Sequence, residues 1–106
     1  MTDIQLFKPL RYRSIFISDT HLGFRGARAD YLLDFLESVE CDTLYLVGDI
    51  IDIWEMRRRG VRWPESHNAV VQNILNRARS GTRVVYIPGN HDEMMRAYAG
   101  MSVEGV

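Results

Sequence analysis

Three short apolar runs in this chain end in side chains able to hold a cation or move a proton. SIFIS leads into Asp19-Thr20-His21, TLYLV into Gly48-Asp49-Ile50-Ile51-Asp52, and TRVVYI, through Pro88, into Gly89-Asn90-His91-Asp92. Carboxylates gathered by themselves would repel, and buried charge without a partner is costly, so such a cluster needs a counter-charge. Arginine could supply it, but none lies inside the three motifs; Arg25 stands just beyond the first. Metal ions fit better: Asp and Asn oxygens with imidazole nitrogen suit divalent cations such as Mn2+, Fe2+, Zn2+ or Ni2+. In an extended turn the side chains of Asp19 and His21, two positions apart, would point the same way. Gly48 and Gly89 would allow the tight bends and close backbone approach that a shared site requires.

The elements between the motifs must bring them together. Ser14–Ser18 and Thr43–Val47 read as buried strands, short and rich in β-branched and aromatic residues, and Thr82–Ile87 reads as a third. From Asp30 the apolar residues Leu32, Phe35, Leu36 and Val39 recur at helical spacing, with Asp34 and Glu37 opposite. Trp54–Trp63 has no clean periodicity and reads as a loop or short irregular helix. Pro64-Glu65-Ser66 marks a helix start, His67, Val71, Ile74, Leu75 and Ala78 share its face, and Gly81 serves as its C-cap. Glu93–Ala99 could begin another helix. The order β-α-β-α-β predicts an α/β fold with a parallel sheet, right-handed crossovers and strands buried on both faces. All strand carboxyl ends then lie along one edge, where the functional residues of open α/β sheets collect. Asp19, Asp49 and Asn90 would converge there.

Composition narrows the chemistry. The 106 residues fit one domain, and a net charge of -1 argues against general nucleic-acid binding. Positive charge comes from twelve arginines and a single lysine, Lys8, which disfavours a Walker loop or a Schiff base. Cys41 alone cannot form an internal disulfide and reads as a small filler between helix and strand. No run approaches a membrane span and no signal-peptide layout opens the chain, so a cytoplasmic location is expected.

With these motifs in order, the chain resembles the calcineurin-like metallophosphoesterases, whose pattern is D-x-H, G-D-x-x-D and G-N-H-D/E. Within that family ISDTHLG, YLVGDIIDIW, RRRGVRWPESHNAVV and VVYIPGNHDE resemble UDP-2,3-diacylglucosamine diphosphatase-like proteins. The resemblance implies a two-metal centre in which Asp19 and His21 bind the first ion, Asp49 bridges both and Asn90 binds the second. His91 would hydrogen-bond the phosphoryl or leaving-group oxygen, and Asp52 would orient it. The ions would be manganese first, with iron, zinc, nickel or magnesium as alternatives, and would activate a water for hydrolysis of a phosphoester or pyrophosphate. A phosphorylated small molecule or nucleotide-linked lipid, such as a UDP-linked acylated sugar of lipid A biosynthesis, is the implied substrate, with peripheral contact at the inner membrane.

One departure stands out. The family supplies further metal-binding histidines from a second half, including a G-H-x-H motif, whereas this chain has three histidines and ends at Val106. Residues 1–106 are therefore expected to be the N-terminal half of an α/β/β/α sandwich, weakly active or inactive alone, with metal incompletely bound. The uncovered apolar face would favour self-association. Arg57, Arg58, Arg59 and Arg62, flanked by Trp54 and Trp63, read either as a solvated loop or as a grip for pyrophosphate or an anionic head group. His67 reads as a solvated histidine near a helix start, with a substrate contact as the sharper alternative; Met94, Met95 and Tyr98 read as packing residues. The competing function is a non-catalytic fragment or interaction module that keeps the fold without a complete metal centre.

Overall fold

The computed structural model describes residues 9–24, 26–60, 63–98, 100 and 105–106. Its elements run β1 (Leu10–Ile17), α1 (Ala29–Glu37), β2 (Val39–Val47), α2 (Ile53–Arg59), α3 (Glu65–Arg79), β3 (Arg83–Ile87) and a 3-10 helix over Glu93–Tyr98. The strands form one parallel sheet in the order β1-β2-β3. The α/β class and the parallel β-α-β-α-β core match the sequence reading.

Several boundaries differ, each for a local reason. Val39, read as the last turn of a helix, opens β2 instead and pairs with Leu10. Helix α1 stops at Glu37, where the Ser38 hydroxyl donates to Asp34 O and Arg77 donates to the Leu36 and Val39 carbonyls. Leu36 of the expected stripe is buried, but Phe35 faces outward and Leu33 packs inward. Cys41 lies within β2, paired with Tyr12, and burial pushes its thiol pKa up. Trp54–Arg59 is a regular helix: Asp52 accepts from the Glu55 N–H at 2.9 Å as its N-cap, and Arg57–Arg59 sit favourably in its last turn. The Asp52-x-x-Glu55 spacing is a helix-start signature that periodicity alone does not register. Gly81, at φ 108°, follows Ser80 at the end of α3 as expected.

Among the described residues the sheet is covered on one face only. Both crossovers step in the same direction across the sheet, so a common handedness places α1 and α3 on one side, where they pack on each other. Ile15, Leu44, Leu46 and Val84 are buried beneath them, with Ile17 and Tyr86 alongside and Leu36, Val70 and Ile74 supplied from the helices. Alternation sends Phe16, Tyr45, Val85 and Ile87 the other way. Phe16 stacks on Tyr45 at 4.6 Å between centroids yet stays 68% exposed, so the expectation of strands buried on both faces is corrected. Toward the carboxyl ends this second face is nevertheless apolar, with Ser14, Thr43 and Arg83 on it nearer the amino ends. No helix among the described residues is long and apolar enough to cross a membrane.

Candidate metal centre

Parallel register places the three motif loops side by side beyond the strands' carboxyl ends. The loops after β1 and β2 are stitched together by backbone bonds: Asp19 N–H to Gly48 O (3.0 Å), His21 N–H to Asp49 O (2.9 Å) and Leu22 N–H to Ile50 O (2.7 Å). Asp52 N–H returns the link to Leu22 O at 2.7 Å. The turn is not extended, as the spacing of Asp19 and His21 implied. Asp19, His21 and Asp49 adopt left-handed φ values of 57°, 49° and 54°, unusual for residues with a Cβ. Such conformations persist where the surroundings over-determine them, and they cluster at functional sites.

The loop after β3 closes against this pair. A Cβ at Gly89 would lie 2.8 Å from Asp49 N and 2.9 Å from Gly48 Cα, so only glycine fits this approach. Asn90, exposed, stands between Gly89 and His91, and the His91 N–H donates to Asp49 Oδ1 at 2.7 Å. Asp92, fully buried, fixes the junction: its carboxylate accepts from Ile50 N–H (2.8 Å), Asp49 N–H (3.1 Å), Gly89 N–H and the Tyr86 hydroxyl. Burial alone would raise its pKa, but these four donors outweigh that and hold it below the usual carboxylate value. The same contact pushes the Tyr86 pKa upward, after the larger effect of burial.

Two groups of ligand-type side chains result. In one, Asp19, His21 and Asp49 bring ligand atoms within 4.8 Å of one another; in the other, His21, Asp52 and His91 do so. The second group is a hydrogen-bond network. Asp52, 2% exposed, places Oδ2 2.8 Å from His21 Nδ1 and Oδ1 2.9 Å from His91 Nδ1. Burial again raises and hydrogen bonds from Glu55 N–H and both histidines lower its pKa, with the lowering dominant. An ionised Asp52 accepts a proton-bearing Nδ1 from each ring, which leaves both Nε2 atoms to face other partners. His21 Nε2 lies 3.8 Å from Asp19 Oδ1, while Asp52 on Nδ1 takes the place of an outer carboxylate that orients a histidine ligand. His91 has its pKa raised, chiefly by the bond to Asp52.

The donor chemistry fits a divalent cation. Asp19 and Asp49 offer oxygen and His21 a free Nε2, and among the described residues no arginine pairs with Asp19, Asp49, Asp52 or Asp92. The predicted arginines are placed differently. Arg58 and Arg59 pair with the buried Glu55 at 2.8 and 3.3 Å, and Arg57 reaches Met94 Sδ at 3.3 Å. Arg62 lies outside the described residues, as do Arg25 and the side chain of Tyr98. Met94 is exposed rather than packed. His67 is 3% exposed, which corrects the solvated reading, and its Nδ1 accepts from the Gly23 N–H at 2.9 Å.

Sequence reasoning missed three contributors. Asp92 has no role in the sequence reading, because two of its four donors, the Asp49 and Ile50 N–H groups, lie 43 and 42 positions away. Trp54 sets its ring edge-to-face on His91 at 4.6 Å and donates its backbone N–H to His91 O at 3.1 Å, with Arg58 over its ring at 5.4 Å. The link from Asp52 to His21 was also unread, because only His91 had been assigned to it.

A profile described as Calcineurin-like phosphoesterase matches residues 12–104. The chain belongs to that family. Among curated proteins it is similar to the UDP-2,3-diacylglucosamine hydrolases of Xanthomonas campestris pv. campestris strains B100, ATCC 33913 and 8004. Each is 34% identical over 88 residues, covering 79% of this chain and 34% of the relative. The chain thus spans about a third of the length of these relatives. No solved structure gives a significant match. The family's dinuclear metal dependence agrees with the ligand groups at the carboxyl edge.

Proposed function

We propose that the carboxyl edge of the sheet is one side of a dinuclear centre for hydrolysis of a phosphoester or pyrophosphate bond. Asp19 and His21 would hold one ion, Asn90 the other, and Asp49 both. The observation that carries this reading is Asp52, whose two oxygens hold His21 Nδ1 and His91 Nδ1 and so turn both Nε2 atoms outward. Manganese is the first choice, with iron, zinc, nickel and magnesium also suited to the donors. When bound, the ions supply an activated water and stabilise charge on the phosphoryl oxygens.

The chain's own residues orient and donate. His91, with its raised pKa, presents Nε2–H toward a phosphoryl or leaving-group oxygen; Asp52 fixes that ring, and Trp54 covers its edge. Arg57, Arg58, Arg59 and Arg62 are the candidates for gripping a second phosphate, in keeping with the UDP in the name of the relatives. A UDP-linked acylated sugar is accordingly the proposed substrate class, met at the cytoplasmic surface of the inner membrane. Any cleavage of such a diphosphate by this chain, expected to be weak, should require Mn2+, and Asn90→Ala should lower its Mn2+ affinity at least tenfold. Cleavage that persists undiminished in chelator-stripped protein without added metal, or unchanged Mn2+ affinity in Asn90→Ala, would remove the proposal.

A second reading, a module that keeps the fold without a competent centre, is favoured by one observation. Asp19, His21, Asp49 and Asn90 give four side chains for two ions, fewer than octahedral shells require. Weak Mn2+ uptake with no turnover by the 106-residue chain would support it. The strip of exposed Phe16 and Ile87 with half-buried Tyr45 and Val85 further supports self-association, which light scattering at rising concentration would reveal and which a constant monomer mass would refute.

A further inference from the structure

We infer that His67 is a positioning residue: through the Gly23 N–H it ties the loop carrying Asp19 and His21 to helix α3. The inference rests on the reading of Asp19 and His21 as cation ligands. That loop contains left-handed φ values at Asp19 (57°), His21 (49°) and Gly23 (93°), so it needs external restraint to keep its shape. Three of its N–H groups, those of Asp19, His21 and Leu22, bond to the loop after β2. Those bonds join one motif loop to another, and the buried side chains of Leu22 and Ile50 seat both on the core, but none of them reaches helix α3. The Gly23 N–H turns elsewhere and meets His67 Nδ1 at 2.9 Å, from a residue 44 positions away.

Helix α3 is a firm reference for the loop, because Val70 and Ile74 on the same face are buried in the core. The bond itself is enclosed. Gly23 and His67 are both buried, and a Cβ at Gly23 would come 2.7 Å from Met56 Sδ, so the space around it is already filled. Without its acceptor the buried N–H would be unpaired, and the loop would have to shift to hydrate it. Acceptance at Nδ1 requires the neutral ring with its proton on Nε2. Burial lowers the His67 pKa and favours that neutral form. His67 thus acts two residues beyond His21 and reaches the centre only through the backbone.

The bond can be read directly in the metal-free chain, as a 15N–15N coupling across the hydrogen bond between Gly23 N and His67 Nδ1. The coupling is expected in wild type, and its absence overturns the inference. Mn2+ titration then tests the consequence. His67→Leu removes the acceptor and should weaken binding about tenfold, as loss of an outer partner of a metal ligand does. His67→Asn places Oδ1 where Nδ1 was and should restore most of the affinity. Wild-type affinity in His67→Leu overturns the positioning role even with the coupling present. If His67→Leu loses its helical circular dichroism, the wild-type coupling and His67→Asn decide the matter between them. An Asp49→Ala chain that binds Mn2+ as tightly as wild type removes the ligand reading, and the positioning role with it. The coupling, measured without metal, separates that failure from the absence of the tether.

Discussion

The two edges of the sheet both gather charge, and they treat it in opposite ways. At the strands' amino ends Arg11 pairs with Asp42 in the open, and Arg77 closes the end of α1 by donating to Leu36 O and Val39 O. A cavity of about 810 Å3 opens there, among Arg11, Glu37, Asp42 and Arg77. At the carboxyl ends the cleft beside Asp19, His21, Phe24 and Arg28 is smaller, about 340 Å3. Yet this edge holds the buried carboxylates Asp52 and Asp92 and the left-handed Asp19, His21 and Asp49. The amino edge satisfies its charges with each other and with water. The carboxyl edge buries acids, surrounds them with N–H donors and, among the described residues, leaves Asp19 and Asp49 without a paired guanidinium. Size of cavity is therefore a poor guide here, and the placement of acids without cationic side chains is a better one.

Substitutions can sharpen or break that contrast. Asp92→Ala should have the largest effect, roughly 3–5 kcal/mol in urea unfolding, because four buried or half-buried donors lose a common, fully buried acceptor. Asp42→Ala at the other edge should cost at most about 1 kcal/mol, as an exposed pair does. Equal losses in the two variants would erase the distinction. Asp52→Ala ranks next, at roughly 2–4 kcal/mol, from loss of the α2 N-cap and of bonds to two imidazoles. A thermal melt matching wild type would show that Asp52 does not bind these elements together.

The smallest effects are changes of slope with pH. His91 has a raised folded-state pKa, so it contributes stability that is full below the ordinary histidine value of about 6.5 and is lost as pH rises through its folded value. His67 has a lowered one, so stability falls as pH drops below about 6.5 toward its folded value. His91→Asn should remove the alkaline loss and His67→Asn the acid loss. Urea midpoints measured from pH 5 to 8 would show the two slopes changing in opposite directions; identical changes would contradict both assignments.

Much of this edge was legible in the sequence because strand period and motif order are local signals. Three apolar runs, each ending in acid, imidazole or amide, foretold parallel strands and converging loops. What was not legible depends on distant partners. Asp92 accepts from Gly89 and Tyr86 close by, but the Asp49 and Ile50 N–H groups come from the loop after β2, 43 and 42 positions away, and nothing near Asp92 in sequence announces them. His67 looked like a surface histidine because a helix start is usually solvated, and only the fold of the Asp19 loop brings Gly23 onto its ring. Val39 was misplaced for the opposite reason, as helical spacing continued through a boundary set by β2 pairing with β1; Phe35 lies inside α1 and faces outward. The single covered face follows from sheet order, which the element sequence alone leaves open.

Paramagnetic broadening in a 15N-labelled chain titrated with Mn2+ compares the two edges within one experiment. Selective loss of amide signals at residues 19–21, 48–52 and 89–92, with those of Arg11, Cys41 and Asp42 retained, is the predicted result. Broadening centred on the amino-edge cavity, or spread evenly over the chain, would contradict the assignment of the cation site to the carboxyl edge.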